Sequence, residues 1–110
     1  MTREESNVQR IKYRLHRLGP FLPGSISRQF NICGNPGCRC KNPRNPKRHG
    51  PYYQLSYTAN GRSSTRFVKK TELAEARRRL DRFRRFKRLN AQLLDAYLEL
   101  ARKQGLSTES

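Results

Sequence analysis

The chain has 110 residues, of which 34% are hydrophobic and none is tryptophan, so it has room for one domain with a small apolar core. Its 25 lysines and arginines against 8 acidic residues give a formal net charge of +17. No stretch approaches the roughly 18 to 20 apolar residues of a membrane-spanning helix, which excludes an integral helical membrane protein. Because so small a core gives little stability, we expect a metal ion, a disulfide or a partner to supplement it.

The first predicted element is a helix over residues 7–18, where apolar residues recur at helical spacing. Ser6 or Asn7 is the expected N-cap, and Gly19 followed by Pro20 ends the helix. The apolar stripe consists of Val8, Ile11, Leu15 and Leu18. The opposite face is basic and carries Arg10, Lys12, Arg14 and Arg17.

Residues 20–51 contain all six prolines and show little periodicity, so we expect a loop with scarce regular structure. Within it, CGNPGCRCKNPRNPKRHG places three thiols and one imidazole in the spacing Cys-x4-Cys-x-Cys-x8-His. Zinc is commonly held by such a set, and an ion with four protein ligands is structural rather than hydrolytic. The predicted ligands of this structural zinc are Cys33, Cys38, Cys40 and His49.

An odd number of cysteines cannot form a closed set of disulfides, which favours a reducing compartment. Charges interrupt the first apolar residues, so no signal peptide is predicted. We therefore expect a cytoplasmic protein, with nucleoid association compatible with its charge. Two alternatives to zinc stay open: three reduced thiols without a metal, and a catalytic cysteine. No acid and base pair accompanies the cysteines, so we expect no enzymatic activity. His16 is a further donor, but a lone histidine on a basic helix is more often a surface residue.

Residues 51–70 predict a β-hairpin, because two runs rich in aromatic and β-branched residues flank Asn60-Gly61. Asn-Gly readily adopts the positive φ angles of a type I′ turn. Both faces of the hairpin are mixed in polarity, so the pattern does not determine which face packs inward. The turn predicts a register in which Tyr57 lies opposite Ser64, Leu55 opposite Arg66 and Tyr53 opposite Val68.

Residues 71–104 predict a long helix, with Thr71 as its cap and Gly105 at its end. Glu72 and Glu75 lie in the first turn, where carboxylates favour the helix dipole. A helix of this length outreaches so small a body, so we expect its distal half to pack on the first helix or on a second copy. The apolar stripe runs through Leu73, Ala76, Leu80 and Phe83, then after a phase shift through Phe86, Leu89, Leu93, Ala96 or Tyr97, and Leu100.

The net charge predicts a polyanionic partner, and nucleic acid is the commonest one because neutralised phosphates release condensed counterions. An anionic membrane surface, or a solvated basic face without a ligand, is the alternative. The basic run RRRLDRFRRFKR at residues 77–88 is predicted to project arginines outward on adjoining turns. The predicted nucleic-acid contacts are Lys41, Arg44, Lys47, Arg48, Arg62, Arg66, Lys69, Arg78, Arg82 and Arg85. Aromatic residues that could stack on bases are Tyr52, Tyr53, Tyr57 and Phe67, although hairpin aromatics more often belong to the core.

The segment LGPFLPGSISRQFNICGNPGCRC, followed by HGPYYQLSY and GRSSTRFV, resembles a family of small uncharacterised prokaryotic proteins associated with mobile elements. Its signature comprises the patterns CGxPGCRC, HGPYYQLSY and GRSxTRFV, and the resemblance covers about residues 18–100. The resemblance implies no established activity. It favours a role in DNA transactions, as an accessory to a transposase or to an RNA-guided system.

Together these observations predict a single α+β domain over residues 1–110, in which a metal-binding loop joins the first helix to a hairpin and a long basic helix. The predicted function is non-catalytic binding of nucleic acid, with DNA favoured over RNA, through the phosphate backbone. The alternative is a protein–protein adaptor, or a subunit of a ribonucleoprotein assembly, whose long helix contacts a protein or a second copy. That contact would use Leu93, Leu94, Tyr97, Leu98 and Leu100.

Overall fold

The computed structural model describes residues 1–31, 35–44 and 47–106, which form two α-helices and a three-stranded antiparallel sheet. The predicted α+β class is therefore confirmed. The elements in chain order are α1 (Arg3–His16), β1 (Ser25–Asn31), β2 (His49–Ala59), β3 (Arg62–Val68) and α2 (Leu73–Lys103), with short 3-10 helices at Arg39–Lys41 and Lys70–Glu72. No helix in these described ranges combines the length and the apolar character needed to cross a membrane.

The chain divides into two compact units. One, here called the helical unit, comprises Met1–Phe21 and Asp81–Ser110, and the other, here called the sheet unit, comprises Leu22–Leu80. The long helix α2 contributes residues to both units. Compact units within a chain do not necessarily fold independently of each other. The single domain expected from the sequence therefore stays a prediction.

Helix α1 begins at Arg3, four residues before the predicted start. Its N-cap is Thr2, whose hydroxyl accepts a hydrogen bond of 3.1 Å from the backbone N–H of Glu5. The prediction of a cap at Ser6 or Asn7 was wrong, because Thr2 satisfies an N-terminal amide and the acidic first turn favours the helix dipole. The helix ends at His16, so the predicted end at residue 18 was also wrong and Leu18 follows the helix, whereas Val8, Ile11 and Leu15 share its buried face.

The core of the helical unit lies between α1 and the distal part of α2. Val8 and Ile11 of α1 are buried against Leu89 and Ala96. The predicted packing of the distal helix on the first helix is confirmed, since Leu93 and Leu100 lie in this cluster with Leu15 and Leu18. Three other large apolar side chains of α2 remain exposed: Leu94, Tyr97 and Leu98.

A second group of contacts in the helical unit is aromatic. The Phe21 ring lies 4.8 Å from that of Phe86 and 5.5 Å from that of Phe83, measured between centroids. Two phenylalanines of the α2 apolar stripe therefore pack on the segment that follows α1.

The sheet has the order β1-β2-β3, so β2 is central. Strand β1 lies inside the segment predicted to hold scarce regular structure, and that prediction was wrong for residues 25–31. Most β1 side chains are exposed and its sequence, SISRQFN, has little apolar alternation. Its order comes from pairing with β2, where Ile26 lies opposite Leu55, and such a long-range contact leaves no local pattern.

The predicted hairpin register is confirmed at all three pairs, including Tyr53 opposite Val68. Asn60 and Gly61 have φ angles of 54° and 75°, as a type I′ turn requires. The inner face of the sheet packs on the start of α2, with Leu55 and Val68 buried against Ala76 and Leu80. The partly buried residues of this cluster are Leu22, Ile26, Tyr53, Tyr57 and Leu73.

Helix α2 begins at Leu73, because Thr71 belongs to the preceding 3-10 helix and does not cap α2 as predicted. The predicted end is confirmed at Gly105, whose φ is 83°. The N–H of Gly105 bonds to the carbonyl of Arg102 at 3.1 Å, and that of Leu106 bonds to Ala101 at 2.9 Å. This pair of bonds is a Schellman motif, in which glycine supplies the positive φ.

Candidate functional site

Three of the four predicted metal ligands come together in the sheet unit. The Sγ atom of Cys38 lies 3.0 Å from Nε2 of His49, and these atoms and Sγ of Cys40 all lie within 4.8 Å of one another. Cys40 lies on the 3-10 helix Arg39–Lys41, and His49 is the first residue of β2. The fourth predicted ligand, Cys33, lies outside the described residues.

Backbone turns bring the two described thiols to one side of the loop. The side-chain oxygen of Asn35 accepts a bond of 3.1 Å from Gly37 N–H, and the Asn35 carbonyl accepts one of 3.2 Å from Cys38 N–H. The Cys38 carbonyl in turn accepts a bond of 3.1 Å from Lys41 N–H, which closes the short helix around Cys40. Asparagine and glycine favour such turns, so the cysteine spacing and the turn chemistry act together.

The donor set fits a metal ion. Cys40 is 1% exposed, whereas Cys38 and His49 are half-buried. Metal–donor bonds of about 2.0 to 2.3 Å in a tetrahedral site put neighbouring donors about 3.5 Å apart, close to the spacing of this cluster. Two thiols and an imidazole suit soft or borderline ions rather than calcium or magnesium. Cys38, Cys40 and His49 are therefore placed to hold a metal ion.

The predicted nucleic-acid contacts of the loop and hairpin are all exposed cations of the sheet unit. None of them forms an ion pair with a residue that the structure describes. Three of them closely neighbour the metal ligands in the sequence. The seven residues are Lys41, Arg44, Lys47, Arg48, Arg62, Arg66 and Lys69.

The first predicted contact on α2, Arg78, is held by a carboxylate. Its Nη2 lies 2.8 Å from Glu75 Oε2, and Nε of Arg79 lies 3.1 Å from Glu75 Oε1. These hydrogen bonds, that from Arg78 first, lower the pKa of Glu75 below its ordinary value. Arg78 is nevertheless exposed, so an anion has access to it.

Arg82 is half-buried and does not project outward as predicted. Its Nη1 donates a hydrogen bond of 3.1 Å to the carbonyl oxygen of Pro20. A Cβ atom on Gly19 would lie 3.2 Å from the guanidinium carbon of Arg82, so glycine permits this close approach. Arg82 therefore helps to hold the segment after α1 in place.

Arg85, the last predicted contact, is exposed and lines a groove of about 490 Å³ in the helical unit. The groove brings Arg85 together with Arg14, Arg17 and Arg88, which the sequence-based contact set did not include. The signal that could have found two of them was the basic face of the first predicted helix. The other residues that line the groove are Tyr13, Leu18, Leu89 and Gln92.

The hairpin aromatics separate into two groups. Tyr53 and Tyr57 pack toward the core, whereas Phe67 is 64% exposed. The rings of Tyr52 and Phe67 have centroids 6.3 Å apart and lie on neighbouring strands. Of the two groups, the second gives the hairpin an aromatic surface on the outer side of the sheet.

A family model described as "Domain of unknown function (DUF6788)" matches residues 3–78. The chain belongs to this family. The matched span contains α1, the whole sheet, and all three clustered ligands Cys38, Cys40 and His49, and it ends within α2. No curated protein and no solved structure matches the chain significantly.

Proposed function

We propose that this protein is a non-catalytic nucleic-acid-binding protein that grips the phosphate backbone and is stabilised by one structural zinc ion. The observation that carries the proposal is the set of seven exposed cations in the sheet unit, none of which is ion-paired with a described residue. On a surface built for solubility alone, charges of both signs are usually interspersed. Unpaired like charges repel one another, and a polyanion relieves that repulsion.

The proposed zinc ligands are Cys33, Cys38, Cys40 and His49. When bound, zinc would supply a cross-link between the loop and the start of β2, and no reaction step. The cross-link would order the neighbouring cations Lys41, Lys47 and Arg48, which reduces the entropy lost when these side chains bind phosphates.

The resemblance to proteins associated with mobile elements supports DNA as the first ligand to test. We propose that the protein acts as an accessory in such a system, or in an RNA-guided one. In either setting its contribution would be to hold nucleic acid rather than to cut it.

The test is the salt dependence of binding to a labelled DNA oligonucleotide, measured by fluorescence anisotropy. Each phosphate contact contributes a slope of about −0.9 in log K against log salt on a duplex, or about −0.7 on a single strand. We expect the affinity to fall at least tenfold between about 50 and 300 mM salt, because several contacts act together. An affinity that stays flat over this range would overturn the phosphate-contact proposal.

A triple variant connects the binding to the cations named above. Replacing Arg62, Arg66 and Lys69 by glutamine should flatten the slope by about 2 to 3, since three phosphate contacts are lost. The control replaces Arg84 and Arg102, which are already ion-paired with acidic residues of α2. Because those two charges are compensated, the control should bind almost as wild type.

A second candidate function is an adaptor that binds a protein through α2. The exposed Leu94, Tyr97 and Leu98 favour it, because neighbouring apolar side chains on one helix often mark a contact surface. Leu93 and Leu100 pack on α1, so the contact surface would be narrower than the sequence predicted.

A further inference from the structure

The groove of the helical unit has an unusual charge. Its charged side chains are four arginines, two on α1 or just after it and two on α2, and no carboxylate among the described residues lines it. The neighbouring cavity along the same two helices is lined by Asp95 and Glu99 as well as by Arg10 and Arg14. The groove therefore differs from its neighbour in that no described carboxylate balances its arginines.

One of these arginines is held in position by an aromatic ring. Nη1 of Arg17 donates a hydrogen bond of 3.0 Å to the hydroxyl oxygen of Tyr13, and its Cζ lies 5.6 Å from the Tyr13 ring centroid. Such contacts leave other guanidinium N–H groups available, because arginine has five donors. Arg14, Arg85 and Arg88 form no ion pair with any residue in the described ranges.

The groove also offers apolar surface. Leu89 is buried in the core, and Leu18 is half-buried beside it. A ligand with anionic groups for the arginines and a flat or apolar part for Leu18 and Tyr13 matches this lining. Nucleotides have this combination, whereas a simple inorganic anion uses only the charges.

We propose that this groove binds a single strand of nucleic acid, with its phosphates on Arg14, Arg17, Arg85 and Arg88. The inference rests on the proposed function and deepens it by assigning a site and a form of ligand. A volume of about 490 Å³ lies within the range of pockets that enclose small ligands, about 300 to 1,000 Å³. It has room for one or two nucleotides. In a duplex the bases are paired and stacked on one another and cannot lie on Leu18 or Tyr13, so the apolar lining favours a single strand.

The test compares two double variants on the same helix. Arg85→Gln with Arg88→Gln removes two groove charges, and Arg77→Gln with Lys87→Gln removes two exposed charges outside the groove that are not ion-paired with a described residue. We expect the groove variant to bind a labelled single-stranded DNA at least tenfold more weakly than wild type at about 50 mM salt. Its salt slope should be flatter by about 1.4, which corresponds to two lost single-strand contacts. The control should lose no more than about threefold in affinity. Circular dichroism and thermal unfolding should show both variants folded, because all four replaced side chains are exposed.

The outcomes separate this inference from the proposed function. If wild type binds no oligonucleotide at low salt, both fail. If wild type binds but the two double variants weaken equally, the groove assignment is overturned while nucleic-acid binding stands. If a duplex of the same sequence binds more tightly than the single strand and loses as much affinity in the groove variant, the single-strand assignment is overturned.

Discussion

Cys40 is the residue at which sequence pattern and structure agree most closely. It was predicted as a ligand from spacing alone, and its side chain is the most buried in the described part of the chain, at 1% exposure. A fully buried cysteine by itself is often an ordinary small apolar residue. The nearby donor atoms of Cys38 and His49 distinguish this one, because all three ligand atoms lie within 4.8 Å of one another.

Substituting Cys40 tests the metal centre. Cys40→Ser is nearly isosteric but replaces a thiolate by a poorer ligand, so we expect zinc content to fall from about one ion per chain to far below that. The melting temperature should fall as well, because metal binding to such a site is coupled to folding. Elemental analysis and thermal unfolding measure the two effects, and a chelator should lower the wild-type melting temperature in the same way.

The matched control is Arg39→Gln, which changes an exposed residue between two of the ligands without removing a donor. It should retain both metal and melting temperature. Wild-type protein purified without any metal, or a Cys40→Ser variant that keeps its zinc, would contradict the proposed centre.

At the scale of elements, the central strand β2 organises the sheet unit. It pairs with the local hairpin partner β3 and with β1, which is distant in the chain. The hairpin was predictable because Asn60-Gly61 specifies both turn type and register through backbone geometry. The pairing with β1 was not, because an exposed edge strand needs no apolar alternation of its own.

Two glycines test how the sheet depends on these turns. Gly24 precedes β1 with φ at 100°, and a Cβ there would collide with the carbonyl oxygen of Ser56. Gly61 has φ at 75°, but a Cβ there meets no atom of the described residues within 4 Å. We expect Gly61→Ala to cost about 1 kcal/mol of unfolding free energy from backbone strain alone.

Gly24→Ala should cost clearly more, because steric collision with the central strand adds to the same strain. Urea unfolding of both variants measures the difference. Equal destabilisation would mean that the close approach of Gly24 to Ser56 does not limit the packing of β1. Gly37→Ala serves as a control, since its nearest contact is an Asn35 oxygen at 3.8 Å and its φ is not in the positive range.

At the scale of the whole molecule, a formal net charge of +17 is the dominant property. Charge of one sign attracts polyanions over a Debye length and makes copies of the protein repel one another. The apolar surface of Leu94, Tyr97 and Leu98 acts in the opposite direction and favours association.

Light scattering during size-exclusion chromatography decides between these effects. We expect a monomer of 12.9 kDa at about 150 mM salt, because the uncompensated charge outweighs a patch of three side chains. A stable dimer, or aggregation that Leu94→Ser with Tyr97→Ser relieves, would instead favour the adaptor. Leu106→Ser is the control, since it removes an exposed leucine that follows α2.

The sequence by itself determined the features that depend on local chemistry. Helical periodicity indicated α1 and α2, Asn60-Gly61 specified the hairpin register, and the Cys-x-Cys spacing with a following histidine indicated a metal centre. These signals involve residues that are close in the chain, so they can be recognised in the sequence without knowledge of the tertiary structure.

Only the tertiary structure decided which faces are buried and which charges act together. It placed β1 at the edge of the sheet and turned Tyr53 inward and Phe67 outward. It also made Arg82 a structural contact and joined arginines distant in the sequence into one groove. The physical reason is that burial and charge clustering depend on contacts between distant segments, and local periodicity carries no information about which segments meet.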